Sequence, residues 1–313
     1  MVHYRTFRNT DPPQLTLVWN EVFAGNGGVR LTSNSALDHF VFAKPYFDSA
    51  GLILAEEDGH CLGFCHAGFG PNAAETALST ETGIICLLGV RVAQRRRGIG
   101  RQLLERGETY LREHGAGAIV AGPHPPLCPF YQGLYGGCQL PGFLASQPEA
   151  EAFFTTQGYK ADKDVLVFRR RLAAPIPWSD PRQISRLANF EMRVSACKTL
   201  GSWWQECVWG PVEPLELLLC TKAGESVARA LAWDMGGQEG SAAIAGIRNL
   251  TVKEELRRQG MGRLFVALLF RFLHEQYFEA AEVHVEHDQV AGREFCRSLG
   301  FTLADRGRVY RKT

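Results

Sequence analysis

The sequence predicts an α/β protein, a mixed α+β sheet with flanking helices, built from two tandem copies of one unit. Three observations carry this expectation. First, residues 88–104 (LGVRVAQRRRGIGRQLL) and 250–266 (LTVKEELRRQGMGRLFV) align at one constant offset of 162 residues. The register pairs Leu88 with Leu250, Val90 with Val252, Arg95 with Arg257, Gly98 with Gly260, Gly100 with Gly262 and Arg101 with Arg263. A match this long at one offset marks a duplication. Second, each copy follows a short β-rich apolar run and enters a helix-period pattern. Third, each is followed by the same succession of apolar run, short helix closed by a Gly-aromatic pair, and final strand.

Taken in order, the first half opens with a strand, HYRTFR, then helical stretches near 12–24 and 35–48. Two strands, GLILAEED and CLGFCHAGF, turn at Asp58-Gly59, a dipeptide suited to a tight hairpin. Strand 83–90 leads through the first motif into a helix near 101–114 that stops at Gly115, and AIVAG (118–122) is the next strand. A segment rich in Pro, Gly and aromatics, near 123–149, has no counterpart in the second half and is too apolar for a disordered linker. The helix AFFTTQGY (152–159) and the strand DVLVFRRRL (164–172) end this half. Three prolines in LAAPIPWSDPR (172–182) interrupt regular structure, which places units at 1–172 and 173–313. The second half has a shortened lead-in, FEMRVSACK and SWWQECVW, before the hairpin LELLLCTKAGESVARALAWD. Strand 242–252, a helix near 262–277, strand 281–287, helix 294–301 and strand 308–313 complete it.

Composition excludes several classes of function. With 313 residues, 45% of them hydrophobic and 21% charged, and a net charge of +1, the chain has no bulk field to attract nucleic acid or a membrane surface. No apolar run reaches transmembrane length, and the N-terminus lacks a signal-peptide core, so a cytoplasmic location is expected. Nine cysteines without a CxxC pair read as reduced, mostly buried residues; neither a disulfide framework nor a metal site is expected. The composition is compatible with an oligomer, and no residue pattern specifies one.

The motif explains its own residue types. A strand that feeds a helix through RxxGxG leaves the first backbone N–H groups of the helix unpaired. The helix dipole favours an anion there, and glycines remove side chains that would block it. Arginines add charge-assisted contacts to phosphate oxygens. Gly98-Ile99-Gly100 is followed by Arg101-Gln102, which departs from a P-loop, and Leu103 stands where a dinucleotide fingerprint needs its third glycine.

On these residues the chain resembles the GNAT N-acyltransferase superfamily, as a tandem pair covering essentially the whole sequence. The resemblance implies acetyl-CoA as cofactor and a small-molecule amine as acceptor. It implies that the backbone of Leu88, Gly89 and Val90 holds the pantetheine arm, while Arg95, Arg96, Arg97, Gly98, Ile99, Gly100 and Arg101 wrap the pyrophosphate. In the second half the equivalents are Leu250, Thr251 and Val252, then Arg257, Arg258, Gln259, Gly260, Met261, Gly262 and Arg263.

The family's catalytic pattern is broken. The position of its frequent proton-donating tyrosine holds Phe154 and Cys296, and that of its asparagine holds Gln147 and Gln289. The usual carboxylate before LxV is replaced by Ile84 and Gly246, the nearest acid being Glu81. The insertion offers substitutes, and His124, Tyr131 and Tyr135 are the candidates for acid/base or acceptor-binding roles, against a packed Ω-loop as the bland alternative. His66 reads as structural, and Trp203, Trp204 and Trp209 as an interface between halves. The first half alone keeps the full lead-in and the insertion, so transfer is expected within 1–172, with the second half mainly structural. The rival is an acyl-CoA-binding or scaffold protein without catalysis.

Overall fold

The computed structural model describes residues 1–173, 189–236 and 242–313. Most of the proline segment 172–182 lies outside the described residues. Strands β1 (His3–Thr6), β2 (Leu52–Glu57), β3 (His60–Pro71), β4 (Leu78–Val90) and β5 (Ala118–Ala121) form the first half's run of sheet. Asp58 and Gly59 both adopt left-handed φ, +51° and +76°, as the tight β2–β3 turn requires. Helix α1 (Pro12–Val22) starts on two prolines, whose missing N–H groups cost nothing there, and buries Leu15, Val18, Trp19 and Val22. The second expected helix shrinks to one turn, Ser35–Leu37, and a wider turn, Asp38–Phe42, because Pro45 cannot continue it. Helix α2 (Ile99–Glu113) covers one face of the sheet, and α3 (Glu149–Thr156) follows the insertion, which itself forms strand β6 (Phe143–Leu144).

The second half repeats this plan. Strand β7 (Lys160–Arg171) ends the first half, and β8 (Phe190–Ala196) and α4 (Trp203–Trp209) open the second. Then come β9 (Leu215–Thr221), β10 (Ser226–Asp234), β11 (Ile244–Val252), α5 (Met261–Glu275), β12 (Ala280–Glu286), α6 (Val290–Ser298) and β13 (Thr302–Lys312). Among the described residues no helix is long and apolar enough to cross a membrane.

All strands among the described residues belong to one 13-stranded sheet, in the order β1-β2-β3-β4-β5-β13-β7-β12-β11-β10-β9-β8, with β6 beside β13. The closing strands are exchanged. The chain's last strand, β13, stands between β5 and β7, while the first half's last strand, β7, stands between β13 and β12. Each half therefore completes the other's sheet, and hydrogen bonding runs unbroken across the position where the sequence places a boundary.

Among the described residues, three apolar clusters form the core. One lies under α5, and one lies between α2 and the sheet. The third joins α1, the insertion and Trp204 and Trp209 of α4. Trp204 and Trp209 are buried in the cluster that spans the two halves: Trp204 Nε1 donates across the seam to Pro126 O at 2.8 Å, while Trp209 carries the Arg248 guanidinium of its own half 3.7 Å over its ring. Trp203 remains 40% exposed.

His66 is structural, as expected. Fully buried, it stacks on Phe130 at 4.2 Å and shares a 2.8 Å hydrogen bond between Nδ1 and the Tyr131 hydroxyl. Burial pushes its imidazole down to about 3, so it folds uncharged. An unfolded histidine titrates near pH 6.5, so below that pH the unfolded chain takes a proton that the folded chain refuses. Stability is full above pH 6.5 and declines as the pH falls, by roughly 3 kcal/mol at pH 4.5 through this one group at about 1.4 kcal/mol per unit. Urea midpoints measured at pH 7.5 and 4.5 are expected to separate less in His66→Phe than in the parent. Equal separation would remove His66 as a source of acid lability.

Candidate active site

The RxxGxG segments fold into the same backbone shape twice. Each strand end passes through a short 3-10 turn, Val92–Gln94 or Glu254–Leu256, into an extended arginine, Arg95 (φ −67°, ψ 163°) or Arg257 (φ −67°, ψ 158°). Next come a left-handed arginine, Arg96 (φ +63°) or Arg258 (φ +59°), and a left-handed glycine at the helix start, Gly98 (φ +80°) or Gly260 (φ +82°). Non-glycine residues rarely hold such φ values, and segments mixing left- and right-handed residues turn successive N–H groups into an anion-binding concavity. A Cβ placed on Gly98 would meet nothing within 4 Å, so the space in front of the helix is open. Gly100 and Gly262 each lie against a phenylalanine of the following helix, Phe153 or Phe295, 3.4 and 3.2 Å from an added Cβ.

The arginines divide their work more finely than the sequence indicates. Arg95 and Arg257 brace the loop, each donating Nε to the last strand carbonyl, Val90 O at 3.1 Å and Val252 O at 2.9 Å. Arg97 is held by Gln94 and by Glu57 at 3.0 Å, and Arg101 by Glu105 at 2.7 Å. Arg263 donates to Ser298 O at 3.3 Å, and Gln259 to Glu255 O. Arg96 and Arg258, on the left-handed position, carry exposed guanidinium groups that can turn toward an anion.

Beside each cradle two parallel strands part company. β4 pairs with β5 only from Thr82 to Ile85, then runs on without it, still paired with β3, through Leu88, Gly89 and Val90. β11 pairs with β12 only from Ile244 to Gly246, then runs on through Leu250, Thr251 and Val252. Past these points the edges of β4 and β11 that faced the partner strand offer backbone N–H and C=O groups to a ligand amide arm.

The two gaps differ on the sheet face away from α2 and α5. In the first half that face is filled with apolar side chains. Phe23 lies against Gly89, where an added Cβ would stand 2.8 Å from its ring, and Leu87, Tyr135, Leu140 and Leu144 are all buried. Tyr131 is bonded to His66, and the Tyr135 hydroxyl donates to Gln147 Oε1 at 3.1 Å and accepts from Leu144 N at 3.2 Å. This corrects the expectation for the insertion: Tyr131 and Tyr135 build the core with engaged hydroxyls, because a loop this apolar packs onto the sheet. Phe154 is stacked between Phe143 and Tyr310, and Cys296 is buried, its thiol pushed up to about 11 by burial.

In the second half the corresponding face is polar. Glu282, His284 and Glu286 alternate along β12 and so point the same way, while Val285 faces the core under α5. Glu282 is fully buried; its Oε1 accepts from Cys138 N at 2.7 Å and from His284 Nε2 at 3.0 Å, and its Oε2 from Arg169 Nε at 2.6 Å. Burial alone would push this carboxyl up. The His284 hydrogen bond, the Arg169 guanidinium and the Cys138 N–H outweigh it and hold the group below the usual glutamate value. Cys138, Glu282 and His284 bring ligand atoms within 4.8 Å of one another, but both Glu282 oxygens are already occupied by donors.

His124 belongs to this second site. Its Nε2 lies 3.5 Å from Glu286 Oε1, whose other oxygen takes Lys163 at 3.1 Å. Burial, reinforced by Lys163, lowers its imidazole to about 4. A cavity of about 250 Å³ is lined by His124, Gln139, Asn249, His284, Glu286 and Gln289. A larger cleft of about 760 Å³ lies at the seam of the halves, between the insertion and β10, and reaches Glu282. His284, Glu286 and Asn249 escape sequence reasoning that follows the family's own positions. A signal was present, since EVHVE places three titratable residues at period two on a strand next to a cradle, where the first half has Val120, Gly122 and His124.

Residues 29–136 match the acetyltransferase (GNAT) family. A stretch of 80 residues is 35% identical to mycothiol acetyltransferase from Cellulomonas flavigena, covering 25% of this chain and 23% of that enzyme. A mycothiol acetyltransferase from Thermomonospora curvata is 35% identical over 78 residues, 25% of this chain and 24% of its own. The matching stretch thus spans about a quarter of these relatives. Among solved structures, a tandem GNAT protein from the clavulanic acid biosynthesis pathway superposes with a TM-score of 0.67 at 18% identity, over 100% of this chain and 98% of that one. A GCN5-related glucosamine N-acetyltransferase region of a fungal multi-domain protein gives 0.72 at 16% identity, over 100% of this chain and 38% of that one. At these identities the likeness is one of fold.

Proposed function

Starting from a tandem GNAT chain, we propose that this protein is an acyl-CoA-dependent N-acyltransferase that moves an acetyl group from acetyl-CoA to the amine of a small molecule. The observation that supports this most directly is the pairing, twice over, of an open anion cradle with a strand that leaves its neighbour. An extended thioester with a pyrophosphate at one end matches that pair: phosphates at the helix start, amide arm along the freed strand edge, acyl group at the gap. In the first half the cradle is Arg96 and Gly98 to Arg101 with the arm along Leu88 to Val90; in the second it is Arg258 and Gly260 to Arg263 with Leu250 to Val252. Holding thioester and amine together at the gap supplies much of the rate.

A second reading, acyl-CoA binding without transfer, is favoured for the first half by its apolar acceptor face and by Phe154, which has no proton to give. The purified chain is to be incubated with acetyl-CoA and ethanolamine, D-glucosamine, L-lysine or spermidine, and released CoA thiol measured. Amine-dependent release above the rate without amine is expected for at least one. Saturable acetyl-CoA binding with no release would favour the binding reading.

A further inference from the structure

Acyl transfer needs one place where a thioester and an amine meet beside a base, and the second half offers a place that the sequence assigned to the first. We propose that transfer takes place at the gap between β11 and β12, and that His284, positioned by Glu282, is the base that takes the proton of a small primary amine. This deepens the acyltransferase reading and rests on it.

The topology puts the two reactants on opposite faces of the sheet. The cradle opens at the start of α5, on the face that Val285 shares with the core under that helix. Glu282, His284 and Glu286 lie on the other face, against the insertion, and the row begins at the residue where β11–β12 pairing ends, Gly246 with Glu282. An acyl group that follows β11 into the gap therefore arrives beside this row. The first half has Val120 and Gly122 at the positions of Glu282 and His284, and its gap is covered by apolar side chains.

The hydrogen bonds prepare His284 for the task. A carboxylate only accepts, so His284 Nε2 carries the proton it shares with Glu282, and Nδ1 keeps its lone pair. Nδ1 is buried and has no hydrogen-bond partner among the described residues. A buried polar atom left without a partner is costly, and a base oriented by a buried carboxylate recurs in activated catalytic groups. Glu282 is itself fixed from both sides, by Cys138 N of the insertion and by Arg169 of β7. His284 lines the small cavity with Asn249, Glu286 and Gln289, groups that accept from an amine's N–H, and Lys163 offsets the charge of Glu286. The site is thus shared: the second half supplies the base, and the first half's insertion supplies the wall and the Cys138 N–H.

His284 Nδ1 removes one proton from the ammonium, and the freed nitrogen pair forms the C–N bond to the thioester carbonyl carbon. The C–S pair departs on sulfur, the second nitrogen proton goes to that thiolate, and His284 returns its proton to solvent. Ammonium and thioester thus become amide, thiol and one released proton.

The test compares the parent with His284→Gln and Glu282→Gln, using whichever of the four amines turns over. For His284→Gln, kcat is expected to drop at least 100-fold with acetyl-CoA affinity, read by calorimetry, within twofold. Its residual kcat/KM should rise about tenfold per pH unit until the amine itself titrates, because free amine must then come from solution. Glu282→Gln should shift the acid limb of the pH profile to lower pH, an effect that loosened packing alone does not produce. Acetyl-CoA binding at the first cradle reports that each variant is folded. If His284→Gln keeps kcat within threefold and the parent's pH profile, the proposal falls while the acyltransferase reading stands. If the parent binds acetyl-CoA but acylates none of the amines, both fall together.

Discussion

Residues 1–172 expressed alone are expected to remain unfolded or to aggregate, and so are residues 173–313, whereas the two fragments produced together are expected to recover the native circular dichroism spectrum. The cause is the exchange of closing strands. β13 is registered with β7 from Thr302 to Arg311 and with β5 from Tyr310 to Lys312, so removing it strips partners from two strands at once. It also withdraws Val309 and Tyr310, 4% and 3% exposed, from the core. Two buried side chains are worth roughly 1.5–3 kcal/mol each, and every lost strand hydrogen bond about 1 kcal/mol. Together these approach the about 5–15 kcal/mol by which a domain is stable at all. The bared edges of β5 and β7 would then be templates for association. A cooperative, native-like melt from residues 1–172 alone would show that the first half does not need β13.

The double variant Gly98→Leu, Gly260→Leu is expected to lose measurable acetyl-CoA binding while keeping its fold. Both glycines hold left-handed φ at a helix start, +80° and +82°, where an L-residue costs roughly 1–2 kcal/mol per site. That is a small tax on a chain of 313 residues. The effect on binding is far larger, since the Gly98 Cβ position opens onto the cradle and a leucine there would stand where phosphate oxygens meet the helix N–H groups. Calorimetric titration of the double variant and of each single variant separates the sites: Gly98→Leu should remove one binding event and Gly260→Leu the other. Because the transfer site is argued to lie in the second half, Gly260→Leu should also abolish turnover. Unchanged affinity in the folded double variant would sink the phosphate role of both motifs.

The duplication, the strand–cradle–helix order and the hairpin at Asp58-Gly59 were legible in the chain, because each depends on residues near one another in sequence. Glycines at the left-handed positions and arginines around them specify a backbone shape that needs no distant partner, and so the two cradles agree within a few degrees. Even the shortening of the second helix can be traced to Pro45. Which arginine braces and which stays free could not be read the same way. The braces to Val90 O and Val252 O are local, but the acids that engage Arg95 and Arg97 from elsewhere, Glu149 and Glu57, are brought beside the loop only by the fold.

Three matters were decided by tertiary structure alone. The exchange of β7 and β13 is invisible to periodicity, which reports that a segment is a strand but not which edge it completes; the order follows from where unpaired backbone finds a partner. Tyr131 and Tyr135 looked available in the sequence, but an apolar insertion gains most by burial, and it took them into the core. His124 moved the other way, out of its own half to within 3.5 Å of Glu286, 162 residues along the chain. A site assembled from β12 and an insertion more than a hundred residues earlier has no local signature beyond the alternation of EVHVE, because its parts meet only when the two halves share one sheet.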